Sequence, residues 1–164
     1  MASKGRALKT DVKVRLYRPR DLSDLMVLFR DSVHRIARRD YTGAQLAAWA
    51  PANLDRDAWA RRIEANYALV AEEKGVPVGF AELTEGGHLD MLFVAPDRQR
   101  RGVARALLRA IEAQAAHRGR RGLTTDASRT AKPFFLKAGF RLVEAQEVQR
   151  RGVAIQNFRM EKKI

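Results

Sequence analysis

The chain has 164 residues, 46% of them hydrophobic and 31% charged, with 32 Lys and Arg against 19 Asp and Glu for a formal net charge of +13. That length supplies one core, and the absence of cysteine excludes a disulfide framework, a thiolate nucleophile and a thiolate metal site. No apolar run approaches the roughly 20 residues of a membrane helix, and the basic start MASKGRALKTDVKV lacks the apolar stretch of a secretory signal, so residues 1–11 read as a mobile lead-in and the cytoplasm as the expected compartment.

From residue 12 the sequence reads as one domain to its last residue, 164, with no internal repeat, low-complexity tract or composition break. VKVRLYRP alternates in polarity and stops at Pro19, which predicts a strand. In RDLSDLMVLFRDSVHRIARRD, residues Leu22, Leu25, Met26, Phe29, Val33 and Ile36 fall on one helical face, with Asp21 placed to cap its start. AQLAAWAP predicts a short helix closed by Pro51, and DRDAWARRIEAN another capped by Asp55. Three strands follow in YALVAEEKGVPVGFAELTEGGHLDMLFVAP, joined at Lys74-Gly75 and Glu85-Gly86-Gly87; connections this short require antiparallel neighbours.

A helix from Gly102 to about His117 then buries Val103, Leu107, Leu108, Ile111 and Ala115. GLTTDAS predicts the next strand, TAKPFFLKAGF a short helix ending at Gly139, and the remainder a hairpin turning at Arg150-Arg151-Gly152. Strand, helix and strand in one sheet require a parallel crossover, so the strand ending at Val94 and the one near Leu123 run parallel. The expected fold class is α/β: a mixed, mostly antiparallel sheet with one parallel pair and helices on both faces.

The strand-to-helix junction PDRQRRGVARA carries the chemistry. A helix start leaves backbone N–H groups without partners and bears a partial positive charge, which suits an anion. Gly102 admits a ligand to the backbone, Ala104 keeps the following turn open, and Arg98, Arg100 and Arg101 add charge. That is a geometry for holding a pyrophosphate. Gln99-x-x-Gly102-x-Ala104 resembles the Gln/Arg-x-x-Gly-x-Gly/Ala acyl-CoA signature of the GNAT superfamily of N-acetyltransferases, and LFVAP before it is similar to that family's Val-x-Pro strand end. Downstream, SRTAKPFFLKAGF is similar to the family's Asn-x-x-Ala-x-x-x-Tyr-x-x-x-Gly-Phe segment, falling on Ser128, Ala131, Phe135, Gly139 and Phe140. The resemblance spans residues 12–161 and is strongest over 76–140.

The resemblance implies a GNAT-like acyltransferase fold and acetyl-CoA lying between the two parallel strands. Backbone groups of Leu92, Phe93 and Val94 would pair with the pantetheine arm as an added strand does, and N–H groups around Arg100, Arg101, Gly102, Val103, Ala104 and Arg105 would hold the pyrophosphate. Gln99, Ser128 and Phe135 complete the expected cofactor set, with no metal. Acetyl transfer to an amine needs a base, and a carboxylate on the strand GHLDMLFV often serves in this family. His88, Asp90, Leu92 and Val94 share one face of that strand by its period of two, which makes Asp90 and His88 the leading candidates and Glu82 on the preceding strand the third. Phe135 stands where the family commonly has a tyrosine that protonates the departing thiolate, and phenylalanine has no proton to give. Tyr41 and Trp49 are the candidate acceptor contacts, beside Gln45 and the region of Asn157, although Trp49 and Trp59 also fit apolar core faces.

The leading reading is therefore an acetyl-CoA-dependent N-acetyltransferase acting on a primary amine of a small molecule or peptide, with a homodimer as a candidate assembly. The positive excess predicts attraction to anions, whether phosphorylated cofactors, nucleic acid or acidic surfaces. Nucleic-acid binding is thus the rival from another class, but the aromatic residues, 7% of the chain, do not interleave with a basic strand as a single-strand binder requires. A third reading, an acyl-CoA-binding regulator with little turnover, rests on Phe135.

Overall fold

Residues 11–164 are described by the computed structural model; the expected lead-in, apart from Asp11, lies outside them. The elements follow the order β1 (Val12–Leu16), α1 (Leu22–Ile36), α2 (Gly43–Trp49), α3 (Arg56–Ala65), β2 (Tyr67–Glu73), β3 (Val76–Leu83), β4 (His88–Val94), α4 (Val103–His117), β5 (Gly122–Ser128), α5 (Lys132–Lys137), β6 (Arg141–Arg150) and β7 (Val153–Lys163). The strands form one sheet in the order β1-β2-β3-β4-β5-β7-β6, antiparallel throughout except for the β4–β5 pair.

Each face of the sheet buries a different helical layer. On one face the α4 stripe Val103, Leu107, Leu108, Ile111 and Ala115 packs with Leu83, Leu89, Leu123, Met160 and Phe135 of α5. On the other face Leu25, Phe29 and Val33 of α1, Leu46 of α2, and Trp59 and Ile63 of α3 pack on Val70, Phe80 and Ile155. Aromatic rings dominate that second core. Phe29 contacts Trp59 at 4.9 Å and Phe93 at 5.0 Å between centroids, which places Trp59 in the core. Gly79 is needed where α4 crosses the sheet, since a Cβ there would lie 2.9 Å from Val103.

The tight turns follow from backbone chemistry. Arg151 and Gly152 both have positive φ between β6 and β7, as do Lys74 and Gly75 between β2 and β3. Two consecutive left-handed residues make the type I′ turn, whose twist matches that of paired strands. Asp55 caps α3 as expected, its carboxylate accepting the Ala58 N–H at 3.0 Å.

Asp21 departs from expectation. Its side chain does not cap α1; a single 3₁₀ turn, Pro19–Asp21, precedes that helix. The carboxylate instead accepts both Nη groups of Arg15 at 2.8 Å and the Arg18 N–H at 2.8 Å, while Arg15 Nε donates to Glu72 at 2.7 Å. A fork-to-fork pair between the half-buried Arg15 guanidinium and the buried Asp21 carboxylate outcompetes a neutral helix cap because both partners are charged. Arg15 thus ties β1 to β2 and to the start of α1. Its guanidinium holds both the Asp21 and Glu72 carboxyls below their usual range. A depressed carboxyl pKa contributes stability that is present above the ordinary carboxylate range and lost as pH falls through the folded value. Asp21→Asn is expected to cost about 2 kcal/mol near pH 7, and urea unfolding from pH 7 to pH 3 should show the wild type losing more stability on acidification than the variant.

Candidate functional site

The site begins with a failure of pairing. β4 and β5 share two residue pairs, His88 with Thr124 and Leu89 with Thr125, after which β4 continues to Val94 and β5 to Ser128 unpaired to each other. The pairing stops where β4 gains a residue. Leu83 faces Leu89 while Glu82 faces Met91, so Asp90 is a bulge without a cross-strand partner. A bulge increases local twist and bends its strand, here at the point where β4 leaves β5.

The bulge also shifts the alternation of β4. Leu89, Leu92 and Val94 belong to the α4 layer, whereas Met91 and Phe93 belong to the α1 layer. His88, on the opposite side of the strand from Leu89, is not on the face of Leu92 and Val94; the expected common face of His88, Asp90, Leu92 and Val94 is corrected accordingly. Period-two reasoning assumes an unbroken ladder, and nothing in GHLDMLFV marks the extra residue.

Between the diverging strands lies a cavity of about 750 Å³. Leu92, Phe93, Val94 and Ser128 line its strand walls. Gln99, Arg100, Gly102, Val103, Ala104 and Arg105 line one end, and Phe135 lines it from α5. Ser32, Val33, Ile36, Arg39 and Trp49 line it from the opposite helical layer, so the cavity passes through the sheet.

α4 opens onto the cavity without a cap. Gly102, at φ +85°, precedes its first turn and has no side chain to accept from that turn. The first intrahelical bond runs from the Ala106 N–H to the Gly102 carbonyl, which leaves the N–H groups of Val103, Ala104 and Arg105 as unsatisfied donors of a 15-residue helix. Arg100 also has positive φ, at 59°, unusual for a residue with a Cβ. Arg98 is ion-paired with Glu73 and Asp97 at 3.0 Å, but Arg100 and Arg105 have no carboxylate partner among the described residues. Arg101 is exposed and outside the lining.

Gln99 has a use that the sequence did not signal. Its Nε2 donates to the Val94 carbonyl at 2.8 Å, clamping the end of β4 to the turn that leads into α4. Ser128 Oγ accepts the Ala131 N–H at 3.0 Å and shapes the loop after β5. Phe135 is buried, in edge contact with Phe134 and Phe140.

The chain matches the family model described as an acetyltransferase (GNAT) domain over residues 37–162. The chain belongs to the GNAT acetyltransferase family. It is 38% identical over 150 residues to the uncharacterized N-acetyltransferase YafP of Escherichia coli K12, a match covering 92% of this chain and 95% of that one. A GCN5-related N-acetyltransferase from Rhodopseudomonas palustris superposes with a TM-score of 0.93 at 36% identity, covering 98% of this chain and all of that one. The yncA structure from Salmonella typhimurium, solved with its cofactor acetyl-CoA, shares the fold with a TM-score of 0.68 at 21% identity over 93% of each chain. The protein is thus an acetyltransferase.

Several expected site residues of this GNAT protein lie away from the cavity lining. Glu82 is fully buried and accepts from Arg62 Nε at 3.1 Å, Arg62 Nη2 at 2.8 Å and Asn66 Nδ2 at 3.3 Å. It neutralises a guanidinium stacked on Trp59. His88 sits at the paired end of the β4–β5 ladder, with Nδ1 2.8 Å from Thr124 Oγ1 and Nε2 3.5 Å from Asp126 Oδ2. Asp90 is exposed at the bulge and has no hydrogen-bond or ion-pair partner among the described residues.

Tyr41 is buried rather than presented to a ligand. Its hydroxyl donates to the Gln156 carbonyl at 2.7 Å and accepts the Arg129 N–H at 2.8 Å, and burial raises its pKa. Arg129 also reaches the Asp40 carbonyl at 3.0 Å, and Thr130 Oγ1 donates to Asp40 Oδ2 at 2.7 Å. These bonds strap the loop after β5, a wall of the cavity, to the turn after α1 and to β7. Tyr41→Phe leaves a buried carbonyl and N–H unpaired and is expected to cost about 1–3 kcal/mol. Hydrogen exchange at the Arg129 amide should quicken in that variant, whereas unchanged protection would show that the strap does not depend on Tyr41.

Proposed function

We propose that this acetyltransferase moves the acetyl group of acetyl-CoA to a primary amine by direct attack, the donor occupying the α4 side of the cavity and the amine entering from the α1–α2 side. The observation that carries this reading is the uncapped start of α4 facing a gap between parallel strands that opens through the whole sheet. Three first-turn N–H donors and the partnerless Arg100 and Arg105 suit a diphosphate. The backbone of β4 from Asp90 to Val94 has no strand on its β5 side and, apart from the Val94 carbonyl that Gln99 holds, is free to pair with the amides of a pantetheine arm, as an added strand would. A β4 N–H near Val94 would polarise the thioester carbonyl.

Proton management follows from what lines the cavity. Among the described residues, no Asp, Glu, His or Tyr lines the cavity, while Arg39, Arg98, Arg100, Arg105 and Lys137 do. Nearby positive charge lowers the pKa of a bound ammonium and so favours the free amine that must attack. The base we assign is Asp90, acting through water. It lies about 7 Å along β4 from Leu92, against about 13 Å for His88 at the usual rise per residue, and its carboxylate is unengaged where Glu82 and His88 are held. The thiolate leaves without a tyrosine; a thiol of ordinary pKa, about 8.5, is a good enough leaving group at a positively charged site.

Isothermal titration with acetyl-CoA should give micromolar binding that Gly102→Glu abolishes by placing negative charge at the helix start. Gly102→Ala, strained at the same φ but entering open space, should retain binding. Asp90→Asn is expected to lower kcat about 100-fold with little change in the KM for acetyl-CoA, and Phe135→Tyr to change kcat by less than about tenfold. An unaltered rate for Asp90→Asn, or acceleration by orders of magnitude in Phe135→Tyr, would overturn these assignments.

A further inference from the structure

We propose that the acceptor amine carries its own oxyanion group, a carboxylate or a phosphate, which Arg39 receives at the α1–α2 mouth of the cavity. The inference rests on the acetyltransfer reading above and names its acceptor class.

Charge distinguishes the two mouths of the cavity. On the α1–α2 side the described lining consists of Ser32, Val33, Ile36, Ala37, Arg39 and Trp49, so among the described residues Arg39 is its single charged one. Arg39 ends the 3₁₀ turn after α1 and has no carboxylate partner among the described residues. Its neighbour Asp40, the nearest acid in sequence, accepts the Thr130 hydroxyl on its side chain and Arg129 on its carbonyl.

The donor does not account for Arg39. Phosphates held at the start of α4 meet Arg100, Arg105 and three backbone N–H groups on the other layer of the protein. The opposite mouth keeps its charge. With no carboxylate in the lining among the described residues, a simple alkylamine would arrive as an uncompensated cation in a positive field, which disfavours binding. An amine bearing an anionic group arrives with no net positive charge, and the planar fork of Arg39 matches two oxygens of a carboxylate or phosphate. The anion also fixes one end of the acceptor, so the amine is oriented toward β4 rather than merely concentrated near it.

The test is acetylation of matched pairs: the L-amino acids against their carboxamides, and O-phosphoethanolamine against ethanolamine, with acetyl-CoA binding titrated in parallel. The proposal predicts that the anionic member of at least one pair is preferred by about tenfold or more in kcat/KM, chiefly through KM. Which pair responds tells carboxylate from phosphate. Arg39→Met should raise the KM of the preferred acceptor toward that of its neutral partner and leave acetyl-CoA affinity unchanged. Equal or better use of the neutral members, or turnover of neither series by protein that binds acetyl-CoA, overturns the inference while the acetyl-CoA site stands. Failure to bind acetyl-CoA overturns the acetyltransfer reading and the inference together.

Discussion

The extra residue at Asp90 is the constraint on which the rest of the site depends. Two pairs of the β4–β5 ladder form before it, and none forms after it. A regular parallel ladder to Val94 would close the gap, bring β5 against Leu92 and Phe93, and leave α4 starting over a continuous sheet. With the bulge in place, β4 keeps its antiparallel bonds to β3 while its other edge is exposed within the protein interior, where a ligand can complete it. The aromatic cluster of Phe29, Trp59, Phe80 and Phe93 supports β4 from the opposite layer as it diverges. Gln99 then fixes the end of the strand. The opening is therefore held by packing and hydrogen bonds on both sides, consistent with a site that is largely formed before ligand binds.

Electrostatics divides the chain's arginines by task. Arg15, Arg62 and Arg98 are bound to carboxylates and act within the fold. Arg39, Arg100 and Arg105 line the cavity without such partners. Formal net charge is thus a poor guide to function by itself, since paired and unpaired guanidinium groups count equally in it. Pairing is what separates the residues that set the structure from those available to a ligand.

Much of this was legible in sequence because it follows local rules. The periodicity of residues 103–117, the turns at Lys74-Gly75 and Arg150-Arg151-Gly152, and the strand-to-helix junction around Gly102 are short-range patterns, and each appears where it was expected. What was not legible depends on partners far apart in the chain. Asp21 looks like a helix cap until Arg15 is seen to reach it. Tyr41 looks like a ligand contact until Gln156 and Arg129 are found on its hydroxyl. Glu82 reads as a spare carboxylate, but Arg62 from α3 consumes it. The Asp90 bulge has no glycine or proline to announce it, so the face assignments downstream of it were beyond alternation alone.

The central claim is that acetyl-CoA enters the gap opened at Asp90 and ends on the start of α4. The most direct measurement is an amide chemical-shift titration of isotopically labelled protein with coenzyme A. The largest perturbations should fall on Leu92–Val94, on Arg100–Arg105 and on Ser128, and the amides of Val103, Ala104 and Arg105 should move downfield as they gain an acceptor. Perturbations gathered elsewhere, or spread thinly over exposed arginines with the α4 start unmoved, would contradict it.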